Sequence, residues 1–119
     1  MADRTIIEFN HTGDVLPVVE AWAKQNGYKL NGNEGTARVF KKGTGFLVAP
    51  MLLSIEASSG RVRLQAWVRF NLLARMQTLF MLPKEMSIES GGFRGSIPKK
   101  MARTAVNKLL GQLGQPEIP

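Results

Sequence analysis

Residues 61–70 read RVRLQAWVRF, and this stretch decides the fold. Apolar side chains alternate along it with polar ones and one tryptophan, which is the pattern of a strand with one buried face. The turn signal Ser59-Gly60 precedes it, and before that turn residues 46–58 predict a long strand, one face of which carries Leu47, Ala49, Met51, Leu53, Ile55 and Ala57. Two long strands joined by a tight turn are antiparallel neighbours, so this pair predicts a hairpin of an antiparallel sheet.

Three further segments predict strands from their alternation or their β-forming residues. They are residues 4–9, 36–42 and 85–90. Pro50 lies inside the predicted strand at residues 46–58. Because proline donates no hydrogen bond to a neighbouring strand, it predicts an edge position or a bulge there.

For two segments the sequence does not decide between alternative structures. Residues 28–35 predict a short connection with Asn31-Gly32-Asn33 as its turn, although a brief strand over residues 28–30 fits as well. Residues 72–82 fit either a helix or a strand, and Pro83 ends them.

Residues 14–25 predict the first helix, whose apolar stripe consists of Val15, Val18, Val19 and Trp22. Pro17 fixes the start, because proline is tolerated only in the first turn of a helix. Asp14 is then the expected N-cap. Gly27 ends the helix, since glycine readily takes the left-handed conformation.

Residues 97–113 predict the second helix, with Ser96 as N-cap and Pro98 in its first turn. Gly114 is expected to stop it. Its apolar stripe is explained by packing on the sheet.

The predicted order is β-α-β-β-β-β-α within a single domain that spans residues 1–119. Both helices must cover the same sheet to bury their stripes. We therefore predict an α+β fold, with an antiparallel sheet of about five strands and two helices packed on one face. This element order resembles the TATA-binding-protein-like and helix-grip folds. The resemblance is one of topology, and it implies no role for any residue.

The composition excludes several classes of site. The chain has 119 residues, no cysteine and one histidine, His11, which rules out disulfides, thiolate metal sites and a multi-histidine metal cage. His11 and Asp14 fit a helix cap with a polar neighbour better than a catalytic pair. Glu8 and Glu56 fit solvated strand faces better than an acid–base pair. We expect no enzyme, no metal and no cofactor.

No signal peptide and no apolar stretch of about 20 residues is visible, so a cytoplasmic protein is expected. The formal charge is +7 and it is unevenly spread. Residues 1–34 hold three basic and five acidic residues, whereas residues 35–119 hold thirteen and four. One basic side predicts an anionic partner. The alternative is that net charge only keeps the protein in solution.

Positive charge at the start of the second helix suggests an anion site. Lys99 and Lys100 lie in its first turn, where they oppose the helix dipole, and Arg94 comes just before them. A bound phosphate or sulfate would turn that repulsion into attraction. The candidate anion-binding residues are Arg94, Lys99, Lys100 and Arg103. The alternative is that exposed lysines are merely tolerated there.

The polar side of residues 61–70 is a candidate basic face made of Arg61, Arg63, Trp67 and Arg69. Arginine pairs with phosphate and tryptophan stacks on bases, so nucleic acid is one predicted partner. An ordinary solvated sheet face, with Trp67 covered by a loop or a second subunit, is the other interpretation.

Residues 72–82 carry more apolar side chains than one buried face requires. The candidate apolar contacts are Leu72, Met76, Leu79 and Phe80. Exposed, they would suit a membrane interface, an apolar ligand or a second copy of the chain; otherwise they close the core. We therefore expect a non-enzymatic binding domain for an apolar or amphipathic anionic ligand, a membrane surface or a homodimer partner. Nucleic-acid binding is the alternative.

Overall fold

A computed structural model describes residues 4–43, 50–69, 85–88 and 96–119 of the chain. Along these residues the strands are Thr5–Asn10 (β1), Lys29–Glu34 (β2), Ala37–Lys42 (β3), Met51–Ser58 (β4), Arg61–Arg69 (β5) and Glu85–Met86 (β6). The helices are Leu16–Asn26 (α1) and Ser96–Gln112 (α2). The predicted α+β class is confirmed, with an open antiparallel sheet and two helices.

The sheet has five strands in the order β1-β5-β4-β3-β2, and the short β6 also pairs with β5. Val68 of β5 pairs with Met51 of β4 and with Met86 of β6. Because a strand has only two edges, β6 lies on the same side of β5 as β1. The Ile88 backbone N–H then donates to the Thr5 hydroxyl oxygen over 3.0 Å, which joins the end of β6 to the start of β1.

The central hairpin forms as predicted. Ser59 and Gly60 have φ values of 52° and 78°, and this left-handed pair is what a two-residue turn between twisted strands requires. Alternate residues of β5 are buried in one hydrophobic cluster, together with side chains from both helices. That cluster contains Val62, Leu64, Ala66 and Val68 from β5, Trp22 from α1, and Val106 and Leu109 from α2.

Helix α1 begins later than predicted. Val15, not Asp14, is its N-cap, and Val15 is itself buried in the core. The Asp14 carboxylate still accepts a hydrogen bond from the Leu16 backbone N–H over 3.0 Å. Pro17 lies in the first turn as expected, and Gly27 ends the helix with a φ of 79°.

The predicted connection over residues 28–35 is wrong, because most of it is strand β2. All six residues of this strand are exposed, so its sequence carries no hydrophobic alternation. The pairing register shifts between Leu30 and Asn33, and Gly32 has a φ of 89°. Asn31 and Gly32 therefore form a bulge and not a turn. The turn to β3 lies at Gly35, whose φ is 63°.

The position of β4 shows that the prediction of a sheet edge at Pro50 is wrong. The strand is central, between β5 and β3, so Pro50 does not mark an edge. Pro50 lies just before the first residue, Met51, where a missing N–H is harmless. Its carbonyl accepts a hydrogen bond from the Arg69 backbone N–H over 2.9 Å.

The last elements are close to their predictions. The strand expected over residues 85–90 is two residues long, although Ile88 is fully buried as expected. Helix α2 begins at Ser96 and is followed by Gly114 with a φ of 71°. The chain then folds back, because the Asn107 side chain bonds both the N–H and the carbonyl of Ile118. Neither helix in the described part of the chain is long and apolar enough to cross a membrane.

Candidate binding site on the open face of the sheet

A second, smaller hydrophobic cluster lies on the other face of the sheet. It consists of Val39, Leu52 and Trp67, all of them buried. The register places Trp67 directly opposite Leu52, whereas Leu53 belongs to the main core. Neighbouring residues of a strand point to opposite faces. We call the side that carries this second cluster the open face.

Arg4 covers Trp67 on the open face. Its guanidinium carbon lies 3.6 Å from the centroid of the Trp67 ring, within the range of a cation–π contact. Trp67 is only 1% exposed. The tryptophan is therefore part of a covered layer and is not an open stacking platform.

Glu34 holds Arg4 in this position. The two Arg4 terminal nitrogens donate to the two Glu34 carboxylate oxygens over 2.7 and 3.1 Å, a bidentate pairing. One of them also donates to the Gln65 side-chain oxygen over 3.4 Å.

The Arg4–Glu34 pair requires a strongly curved sheet. Arg4 immediately precedes β1 and Glu34 ends β2, and these strands lie at the two ends of the order β1-β5-β4-β3-β2. In a flat sheet they would be separated by four strand spacings, roughly 19 Å. The two side chains cannot span that distance, so the two edges must curl toward each other. The open face is therefore concave.

Three buried polar atoms on this concave face have no hydrogen-bond partner among the described residues. They are the indole Nε1 of Trp67, the Nε of Arg69 and the hydroxyl oxygen of Ser54. Trp67 and Arg69 are two residues apart on β5 and share a face, and Ser54 pairs with Gln65 on the same face. Because an unsatisfied buried polar group costs about 1–3 kcal/mol, these three atoms are the candidate binding groups of this face. Two N–H donors and a hydroxyl suit an acceptor such as a carboxylate.

The electrostatics of the concave face centre on Glu34. Hydrogen bonds from Arg4 hold the pKa of Glu34 below its ordinary value, against an opposing effect of partial burial. The charges of Arg4 and Arg69 lower it further. Arg69 is therefore close enough to act on Glu34. Arg4 and Arg69 are the basic groups that act on Glu34, and Glu85 lies opposite Arg69 in the strand register.

This pairing predicts an acid-sensitive contribution to stability. A carboxyl whose pKa is lowered in the folded state stabilises the fold fully above its unfolded pKa, near 4.5, and loses that contribution as the pH falls through the folded value. We expect Glu34→Gln to unfold at lower urea concentration than the wild type at pH 7, with the gap closing below about pH 4. Urea titrations followed by circular dichroism measure it. A gap that stays constant down to about pH 3 would contradict the pairing.

The residues of the predicted basic face differ in their exposure to solvent. Arg61 and Arg63 are exposed, whereas Trp67 is buried and Arg69 is half-buried. Arg63 lies directly opposite Glu8 on β1 and Glu56 on β4, so carboxylates flank it on both sides. Arg69 likewise lies opposite Glu85 of β6, so the register sets a carboxylate residue beside both Arg63 and Arg69.

The predicted anion-binding residues are not all placed together. Arg94 lies outside the described residues, and Lys99 is described only as part of the α2 backbone. Arg103 turns to the sheet, where it donates to the Ile88 carbonyl over 3.3 Å. Lys100 instead lines a surface depression with Lys42 and Lys108. The candidate apolar contacts Leu72, Met76, Leu79 and Phe80 also lie outside the described residues.

The sequence pattern did not reveal that Arg4, Glu34 and Ser54 belong to this site. Arg4 and Glu34 are 30 residues apart, and only the curvature of the sheet brings them together. Ser54 left a detectable signal, because it is the one polar residue in the apolar run from Met51 to Ile55.

The remaining polar groups suggest no other chemistry. Glu56 accepts a hydrogen bond from the Thr36 hydroxyl, and the His11 backbone N–H donates to the Gly60 carbonyl. Within the described residues no cluster of histidine and carboxylate side chains could hold a metal ion. No protein-family model matches this sequence significantly, and neither does any curated protein or solved structure.

Proposed function

We propose that this protein is a non-enzymatic binding domain for a small amphipathic anion, bound on the open face. The single observation that carries the proposal is the cluster of buried, unpartnered polar atoms of Trp67, Arg69 and Ser54. A carboxylate would accept hydrogen bonds from the indole and guanidinium N–H groups and from the hydroxyl. These are charge-assisted bonds, which contribute more than neutral ones.

The apolar neighbours of these atoms favour a ligand with a hydrocarbon part. Val39, Leu52 and Trp67 form a buried apolar cluster beside the donors, so a ligand tail would reach it by displacing Arg4 from the Trp67 ring. A site with a few donors within an apolar wall is typical of small-molecule binding. The ligand class is therefore a carboxylate with a short aliphatic or aromatic tail.

The predicted topology belongs to the same proposal. One hydrophobic cluster includes residues of α1, α2 and alternate sheet positions, which supports helices packed on one face. That arrangement, with the concave opposite face left for a ligand, is our reason to retain the likeness to helix-grip and TATA-binding-protein-like topologies. Strand β2 is an addition to the predicted order.

The two tryptophans provide an internal control for the test. Trp22 Nε1 already donates to the Ala105 carbonyl over 2.7 Å, whereas Trp67 Nε1 has no partner among the described residues. We expect titration with sodium hexanoate to move the Trp67 indole N–H resonance and to leave that of Trp22 in place. Acetate, which lacks the tail, should need a higher concentration.

Variants of β5 make the test specific. Arg69→Gln should weaken hexanoate binding by roughly tenfold or more, since it removes a charge-assisted hydrogen bond. Arg61→Gln removes the same charge from the same strand face at an exposed position, and it should leave binding unchanged. If the Trp67 indole N–H resonance does not shift at hexanoate concentrations up to tens of millimolar, the proposal is wrong and only water contacts these atoms.

The nucleic-acid alternative receives less support. Stacking on bases needs an open aromatic surface, and Trp67 is 1% exposed beneath Arg4. Self-association or membrane contact through residues 72–82 stays a prediction, because that segment lies outside the described residues.

A further inference from the structure

Three adjoining depressions open on the surface where α1 ends, β2 begins and β3 ends. Their volumes are about 330, 490 and 310 Å³. The first two share Gly27, Lys29 and Leu30, and the third begins at the neighbouring Asn26 and Lys42. Together they form a lysine-lined surface at this end of the sheet, where Lys29 and Lys41 lie in the same register row as Leu52 and Trp67 of the open face.

Six lysines line these depressions, and we call the surface the lysine basin. They are Lys24, Lys29, Lys41, Lys42, Lys100 and Lys108. Glu20 is the one carboxylate among the lining residues. Within the described part of the chain none of the six lysines forms an ion pair. The basin is therefore an uncompensated concentration of positive charge.

Two of these lysines are placed unfavourably for stability. Lys29 of β2 pairs directly with Lys41 of β3 across the strands. Like charges directly opposite each other destabilise an antiparallel pair. An anionic partner would convert this repulsion into attraction.

A buried hydroxyl is a second and independent sign of a ligand. Tyr28 is 3% exposed and lines the depression of about 330 Å³. Its hydroxyl has no hydrogen-bond partner among the described residues. Burial raises the pKa of Tyr28, so the group stays a neutral donor.

The basin also carries exposed apolar side chains. Leu30 is 59% exposed and Met101 is 41% exposed, and both line the depressions. The aromatic residues that line it, Tyr28 and Phe40, are buried and offer no surface for stacking on bases. Lysines around exposed aliphatic side chains suit the headgroup region of an anionic bilayer better than they suit a nucleic acid.

We infer that the lysine basin docks this domain on an anionic phospholipid surface. The six ammonium groups would lie among the phosphate and carboxylate groups of the lipids, with Leu30 and Met101 entering the boundary of the acyl chains. Each lysine near such a surface is expected to strengthen binding about fivefold. The inference is independent of the proposed ligand on the open face.

Vesicle flotation tests the inference. The wild type should float with phosphatidylcholine vesicles that contain roughly 30% phosphatidylserine, and stay behind with pure phosphatidylcholine vesicles. The double variant Lys29→Gln/Lys41→Gln should bind the anionic vesicles about 25-fold more weakly. The same variant should resist urea at least as well as the wild type, because it removes a like-charge pair. If vesicle binding weakens while resistance to urea does not fall, misfolding is excluded as the cause of the weaker binding.

A second variant and a control complete the design. Lys100→Gln/Lys108→Gln, both exposed on α2, should also lose about 25-fold. Arg38→Gln/Arg61→Gln removes the same charge from exposed positions outside the basin and should lose little. Equal losses in all three variants would overturn the inference, because they would report net charge alone.

The apolar side chains separate a bilayer from a soluble polyanion. Leu30→Ser should weaken flotation roughly fivefold through lost apolar burial, and it should not change binding to heparin. Flotation that is indifferent to Leu30→Ser, or no flotation with anionic vesicles, would overturn the bilayer as the partner. Hexanoate titration of Lys100→Gln/Lys108→Gln, which lies on α2 and not on the open face, should remain normal, so failure here is distinguishable from failure of the open-face site.

Discussion

Replacing Trp22 with alanine is expected to lower the free energy of unfolding by about 4–5 kcal/mol. Trp22 is fully buried, and its ring centroid lies 4.5 Å from that of Tyr28. Its Nε1 donates to the Ala105 carbonyl over 2.7 Å, which ties α1 to α2. The change therefore leaves a large cavity and also removes a buried hydrogen bond between the helices.

Trp22→Phe is the matched control. It keeps an aromatic ring in the core but cannot donate to Ala105, so we expect a loss of about 1–2 kcal/mol. Urea unfolding followed by far-ultraviolet circular dichroism measures both variants. Equal losses for alanine and phenylalanine, or a loss below about 2 kcal/mol for alanine, would contradict the packing described for α1.

Replacing Leu52 with alanine is expected to cost about 2–4 kcal/mol, although Leu52 faces away from the main core. The reason is that Leu52 is 1% exposed, in the cluster with Val39 and Trp67. An ordinary solvated sheet face would predict almost no loss at this position.

The adjacent Leu53 is the benchmark for this test. It is fully buried in the main core, and Leu53→Ala should cost about 3–5 kcal/mol. The ratio of the two losses, measured by urea unfolding under one set of conditions, reports how completely the open face is covered. A loss below about 1 kcal/mol for Leu52→Ala would show that the open face is solvated.

The parts of the fold that the sequence predicts are those in which hydrophobic pattern and turn chemistry agree. Strand β5 alternates along its length, and Ser59-Gly60 provides the left-handed pair that its hairpin needs. Strand β2 could not be predicted from a hydrophobic pattern, because all its residues are exposed. Its pairing with β3 comes from backbone hydrogen bonds alone. Its Asn31-Gly32 pair is typical of a turn, yet in the structure these two residues form a bulge within the strand.

The candidate site was only partly predictable, and for a similar reason. The alternation in β5 correctly groups Trp67 and Arg69 on one face. It cannot show that Arg4 covers Trp67, since that contact depends on the curvature of the whole sheet. The local pattern therefore leaves open whether Trp67 is exposed or covered, and the contact with Arg4 across the sheet decides that it is covered.

The position of β1 next to β5 has a consequence for the order of folding. Strands β2, β3, β4 and β5 pair in chain sequence, so each can join its predecessor through a short loop closure. Thr5 of β1 pairs with Ala66, so β1 cannot pair until β5 has formed. On the ribosome β1 emerges well before its partner, and the β5 edge stays open until they meet. The Arg4–Glu34 contact joins the residue before β1 to the end of β2, so we expect it to form only once β1 has paired with β5.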